Sequence, residues 1–232
     1  MPASCVQQVL RQWFEQWGRP QQIQFDHGHP WCTSNSNLPT LFELWLVGLG
    51  IDVVWSRVRH PQDNGIVERS HRTTQSWSAP GYCRSLEQLQ HSLDQAILLQ
   101  RQFYPAVRGR TRLELHPDLL ICTRPYRRSQ EAQLCSLQRV YAYLAQGCWQ
   151  RKVDASGRIS LYNRNYTVAR ALAKQRLWVR FDASTGDWLV FDDAGREVAR
   201  TLVLEINPTV ICQLQQYRST AKHRTLFPKT TP

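Results

Sequence analysis

Apolar residues open the chain at helical spacing. Val6, Val9, Leu10, Trp13, Phe14 and Trp17 fall three and four apart, and Gly18 with Pro20 ends the run. Ile23 and Phe25 then alternate with polar neighbours, which predicts a short strand with Asp26 at its end. A loop rich in Ser, Asn and Pro leads to a second apolar helix over about Leu38 to Leu49, and IDVVW (51–55) has the β-branched content of a strand. Helix, strand, helix, strand is the order of an α/β layer. A third helix begins near Asp63 or Asn64, either of which can act as its N-cap, and runs through Glu68 and His71 toward Trp77. A fourth starts at a capping box formed by Ser85 and Gln88, with Leu86, Leu89, Leu93, Ile97 and Phe103 on one face.

The pattern changes twice more. Residues 105–128 are basic with little periodicity, and Ser129 to Gln146 read as one helix. From about Trp149 the period falls to two: RISLY, NYTVA, RLWVRFD, WLVFD and EVARTLV are short alternating runs separated by turn residues. Five such strands predict a small barrel, with Trp149, Trp178 and Trp188 assigned to its core. The last twenty residues are polar, basic and aperiodic, as in a mobile tail.

Charge sharpens this division. Residues 1–100 carry seven Arg and Lys against eight Asp and Glu, residues 101–152 ten against three, and residues 153–232 twelve against seven. A near-neutral front and a basic rear point to a polyanion resting on the rear half, or to a generally basic surface. The seven cysteines form no CxxC pair, which argues against a zinc ribbon and against a dense disulfide framework. No apolar run reaches the length of a membrane span and no secretory leader is visible, so the expected location is cytoplasmic.

Two segments concentrate the chemistry: FDHGHPW (25–31) and HPQDNGIVERSHR (60–72). An acid after a strand and an acid early in a helix can converge when both backbones are rigid. Paired carboxylates offer the hard oxygen ligands that Mg²⁺ or Mn²⁺ require, and two such ions stabilise the attacking and leaving oxygens of phosphodiester transfer. Each acid also has an ordinary reading, Asp26 as a turn residue and Glu68 as a solvated helix residue.

The two segments together resemble the catalytic core of the integrase type, the DDE family of retroviral integrases and bacterial insertion-sequence transposases. Pro61, Gln62, Asn64, Gly65, Val67, Glu68 and Arg69 fall in register with that family's helix-start motif, and Asp26 matches its second acid. The resemblance implies an α/β fold: an incomplete ribonuclease-H-like core (1–104), a basic linker with a helix (105–148), a small SH3-like β-barrel that binds DNA (149–206) and a flexible basic tail (207–232). It implies Asp26 and Glu68 as catalytic residues and ligands of Mg²⁺ or Mn²⁺. It implies DNA contacts by Gln62, Asn64, Arg69 and His71, and the basic segment adds Arg108, Arg110, Arg112, Arg127 and Arg128. Arg124 belongs to the same basic cluster.

Two departures accompany the match. The separation of Asp26 from Glu68 is longer than usual in the family, with the excess in the Ser/Asn loop before Leu38. The family's first Asp lies on a strand with no counterpart here: Glu15 is the one acid before Asp26, and it lies on a helix. The expectation is a transposase or integrase by descent, N-terminally truncated and inactive alone, a bacterial nucleoid-associated protein. Its expected partners are DNA (element ends and target) and either copies of itself or the missing N-terminal part. The alternatives are a non-catalytic DNA-binding remnant that inhibits a full-length enzyme, and an SH3-like protein-interaction module.

Overall fold

The computed structural model describes residues 2–28, 31, 38–57, 59–105 and 107–214. The Ser/Asn loop at 32–37 and the tail at 215–232 lie outside the described residues. The architecture is mixed α/β, with one small parallel pair and small antiparallel sheets. None of the described helices is long and apolar enough to cross a membrane.

Helix α1 (Ala3–Trp17) buries Phe14 and stops at Gly18. Gly18 has φ of 81°, and a Cβ there would stand 2.9 Å from the Arg124 carbonyl oxygen, so both conformation and space call for glycine. Strand β1 (Gln22–Phe25) pairs in parallel with β2 (Asp52–Trp55), in the register Gln22 to Asp52 and Phe25 to Trp55. Between them runs α2 (Leu41–Gly48), which buries Phe42, Leu44, Trp45 and Leu46. It begins three residues later than the sequence indicates, because a capping box forms at Thr40: the hydroxyl accepts from Glu43 N, and the Glu43 carboxylate accepts from Thr40 N.

After β2 the chain makes a 3₁₀ turn (Pro61–Asn64) and enters α3 (Gly65–Ser78). Neither expected residue caps this helix with its side chain, because both are engaged elsewhere: Asp63 with Arg57, and Asn64 with Ser56. Helix α4 (Leu86–Leu98) packs on α3 and ends in a π turn (Leu99–Phe103). Ser85 accepts from Gln88 N as expected, but the Gln88 side chain accepts from Arg84 N, one residue before the cap. The apolar stripe expected on α4 is largely open, with Leu86 83% and Phe103 63% exposed.

Residues 105–128 form only short turns and the helical turn α5 (Arg112–Leu115), capped by Thr111. The single helix expected over Ser129 to Gln146 is two, α6 (Glu131–Leu134) and α7 (Leu137–Leu144). Ser136 breaks it: its N–H donates to the Gly48 carbonyl, and its hydroxyl caps α7 by accepting from Arg139 N.

Among the described residues the distal half contains six strands where five were expected. The additional one is β3 (Cys148–Lys152), and β4 (Arg158–Leu161) and β5 (Arg164–Thr167) form a hairpin. Strands β6 (Arg176–Asp182), β7 (Asp187–Phe191) and β8 (Glu197–Leu202) join β3 in a four-stranded antiparallel sheet of order β3-β6-β7-β8. Alternation sends Leu177, Val179, Phe181, Trp188 and Val190 inward. A final helix, α8 (Pro208–Gln213), occupies the first residues of the stretch expected to be tail, and it buries Ile211 and Cys212. The core is continuous from Phe14 and Trp45 through Val140 and Leu144 to Trp188 and Ile211.

Candidate metal site and nucleic-acid interface

Asp26 is the first residue beyond β1, and Glu68 lies in the first turn of α3. Both carboxylates are exposed. Asp26 Oδ1 accepts from Gly28 N at 3.0 Å, a local turn that fixes the side chain at the strand end.

One serine ties the two acid-bearing segments together. Ser56, the residue after β2, donates its N–H to the Phe25 carbonyl at 2.8 Å, which extends the parallel pairing past β2. Its hydroxyl accepts from Gln24 Nε2 at 3.0 Å and donates to Asn64 Oδ1 at 3.2 Å. Its carbonyl lies 2.8 Å from a ring nitrogen of His27, whose imidazole stacks on Trp55. Gln24 Nε2 also reaches the Asp63 carbonyl. The start of α3 is thereby held at the carboxyl end of the parallel pair, the end at which Asp26 emerges. In open α/β sheets that end is where ligands bind.

Arg57 strengthens the turn. Its backbone N–H and guanidinium donate to Asp63 at 2.7 to 3.1 Å, and these bonds hold the Asp63 carboxyl down to about 2. Gln24, Ser56 and Arg57 were not singled out from the sequence, and Asp63 was read only as a candidate helix cap. The alternation in β1 marks Gln24 as a polar residue on a strand, but its partners are set only by the tertiary fold.

The other sequence-derived site residues separate into two groups. Gln62, Arg69 and His71 are exposed near the start of α3, whereas Asn64 is half-buried and orients the turn through Ser56. Arg108, Arg110, Arg112, Arg127 and Arg128 are all exposed, and among the described residues none of them has an acid within ion-pair distance. Arg108 and Gly109 form the tip of a tight turn closed by Val107 and Arg110. Arg124 departs from the expected basic cluster: its guanidinium donates to the Pro20 and Gly50 carbonyls, pinning the entries to β1 and β2. Trp149 and Trp188 are buried as expected, but Trp178 stands 38% exposed on the outer face of the four-stranded sheet.

The donor chemistry of Asp26 and Glu68, two carboxylates on rigid elements, suits a hard divalent cation. Among the described residues no three His, Cys, Asp or Glu side chains gather as one ligand set. Two carboxylates are fewer ligands than a two-ion centre needs, so no step of strand transfer follows from these residues alone.

No protein-family model matches the sequence. Among solved structures, the chain is similar to one in a cryo-EM structure of the simian T-cell lymphotropic virus intasome in complex with the PP2A regulatory subunit B56 gamma. The TM-score is 0.42 at 15% identity, covering 88% of this chain. The chain spans 65% of that neighbour's length, and a likeness this distant assigns neither fold nor activity.

Proposed function

We propose that the chain is part of a DNA-recombining protein of the integrase and transposase type. In this reading residues 1–104 form part of a ribonuclease-H-like core that contributes Asp26 and Glu68 to a Mg²⁺ or Mn²⁺ site. The basic segment 105–148 and a small SH3-like barrel at 149–206 hold DNA. A further carboxylate comes from outside these residues, so the 232-residue chain alone binds DNA without cutting it.

The observation that carries the reading is the Ser56 clamp, which fastens the HPQDNG turn and the first turn of α3 to the end of β1 where Asp26 emerges. A bound divalent ion would neutralise charge on a phosphodiester oxygen. The chain's own residues supply the rest: Asn64 and Ser56 set the start of α3, Arg57 fixes Asp63, and Gln62, Arg69 and His71 offer donors to phosphate.

The test is duplex DNA binding by the full chain, measured against salt and with or without Mg²⁺. If Arg108, Arg110, Arg112, Arg127 and Arg128 each neutralise one phosphate, the slope of log K against log salt is about −4.5. Mg²⁺ tightens binding by the wild type and not by Glu68→Gln. Salt-dependent binding without any Mg²⁺ response makes the chain a non-catalytic DNA-binding protein, the second reading. No binding at low salt overturns both.

A further inference from the structure

The outer face of the four-stranded sheet carries a feature that duplex binding does not require. Alternation along β6 turns Arg176, Trp178 and Arg180 outward while Leu177, Val179 and Phe181 face the core. The antiparallel register places Gln150 and Phe191 on either side of Trp178, Lys152 opposite Arg176 and Cys148 opposite Arg180. The result is an exposed indole with a cation two residues away on each side along its strand.

The indole is held in place. Trp178 Nε1 donates to Asp193 Oδ1 at 3.2 Å, which satisfies its one polar atom and fixes the ring's angle on the sheet. Arg180 lies over the Phe191 ring, 5.4 Å from its centroid, and Arg176 donates to Gln150 Oε1. Among the described residues none of Lys152, Arg176 and Arg180 forms an ion pair. Arg200 and Arg196, also in the distal half, are paired with acids. A groove of about 350 Å³ opens beside the ring, lined by Trp178, Arg180, Phe191 and Cys148 together with Asp192 and Asp193. Asp192 is paired with Arg196, whereas Asp193 keeps its charge while accepting from the neutral indole, so on this face three cations, Lys152, Arg176 and Arg180, stand against one unneutralised carboxylate.

A flat apolar ring between cations with open hydrogen-bonding capacity matches an unpaired nucleotide, whose base offers a π-face and whose phosphates are anionic. Paired bases inside a duplex present no such face. We infer that the outer face of the β3-β6-β7-β8 sheet binds single-stranded DNA, stacking one base on Trp178 and holding the flanking phosphates on Arg176, Arg180 and Lys152. This assignment rests on the DNA-binding reading above and adds to it a preference for unpaired strands, such as the frayed ends produced when DNA is cut and rejoined.

The experiment titrates the full chain against a fluorescein-labelled dT₁₂ strand and a labelled duplex of equal length, by anisotropy at one fixed salt concentration. Trp178→Ala weakens dT₁₂ binding about 5- to 150-fold, as expected for loss of one stacked base, and changes duplex binding less than twofold. Trp178→Phe retains most of the affinity, and Arg180→Ala weakens dT₁₂ binding and flattens its salt dependence. Trp178 is 38% exposed and bonds Asp193, so thermal melts accompany the titrations, and Trp178→Phe, which keeps a ring at the position, separates stacking from folding. Unchanged dT₁₂ affinity in Trp178→Ala, or equal losses on both DNAs, overturns the inference and leaves the duplex arm to judge DNA binding by itself. Loss of all binding by the wild type overturns the DNA-binding reading as well.

Discussion

Glu43 is a carboxylate buried where α2, β2 and α7 meet. It accepts from the Thr40 N–H, from Tyr143 Oη–H at 2.5 Å and from Trp55 Nε1 at 3.3 Å. Burial raises its pKa above the ordinary carboxylate value despite these donors. A group whose folded pKa is raised contributes stability that is present below its unfolded pKa and lost as pH rises through the folded one. The stability difference between wild type and Glu43→Gln therefore favours the wild type most in acid and narrows toward neutral pH. Urea unfolding of both proteins at pH 4 and pH 8 measures it, and a difference that widens with pH contradicts the assignment. Residues of this kind were only partly legible in the sequence. Asp26 and Glu68 stood out because each sits in a spaced motif, whereas Ser56 and Gln24 have no local signature and gain their roles from neighbours up to 39 positions away.

At the scale of elements, α1, α6 and α8 are joined by a buried polar contact. Arg11 donates to Glu131 at 2.5 and 2.8 Å and to the Cys212 carbonyl, Gln7 donates to that same carbonyl, and Tyr126 donates to Glu131. Replacing one partner leaves the other charge buried, so Glu131→Leu costs about 3–5 kcal/mol in unfolding free energy. The double variant Arg11→Met with Glu131→Leu recovers much of that loss, which a urea denaturation series reads directly. Equal destabilisation in the single and double variants would show that the pair is held by its surroundings and not by its charges. Helix existence was legible here and helix extent was not. The apolar periodicity of 129–146 is helical throughout, but the Gly48 carbonyl captures the Ser136 N–H and splits the run in two. Strand β3 and helix α8 were missed for a related reason. Each is short, and each is defined by what it packs against more than by its own pattern.

For the whole molecule, the division into a near-neutral front and a basic rear was visible in the charges, but the continuity of the core was not. Tyr162 of the distal half donates to the Pro39 carbonyl of the front, and α8 returns to pack on α2. On the proposed reading, two segments 42 positions apart, carrying Asp26 and Glu68, act as one metal site in a DNA-recombining protein. Paramagnetic broadening of amide resonances by Mn²⁺ in the full chain tests it most directly. Broadening is expected at Phe25 to Gly28 and at Val67 to Arg69 together, and it is lost at both segments in Glu68→Gln. Broadening at one segment alone, or persistence at Asp26 unchanged by Glu68→Gln, would contradict it.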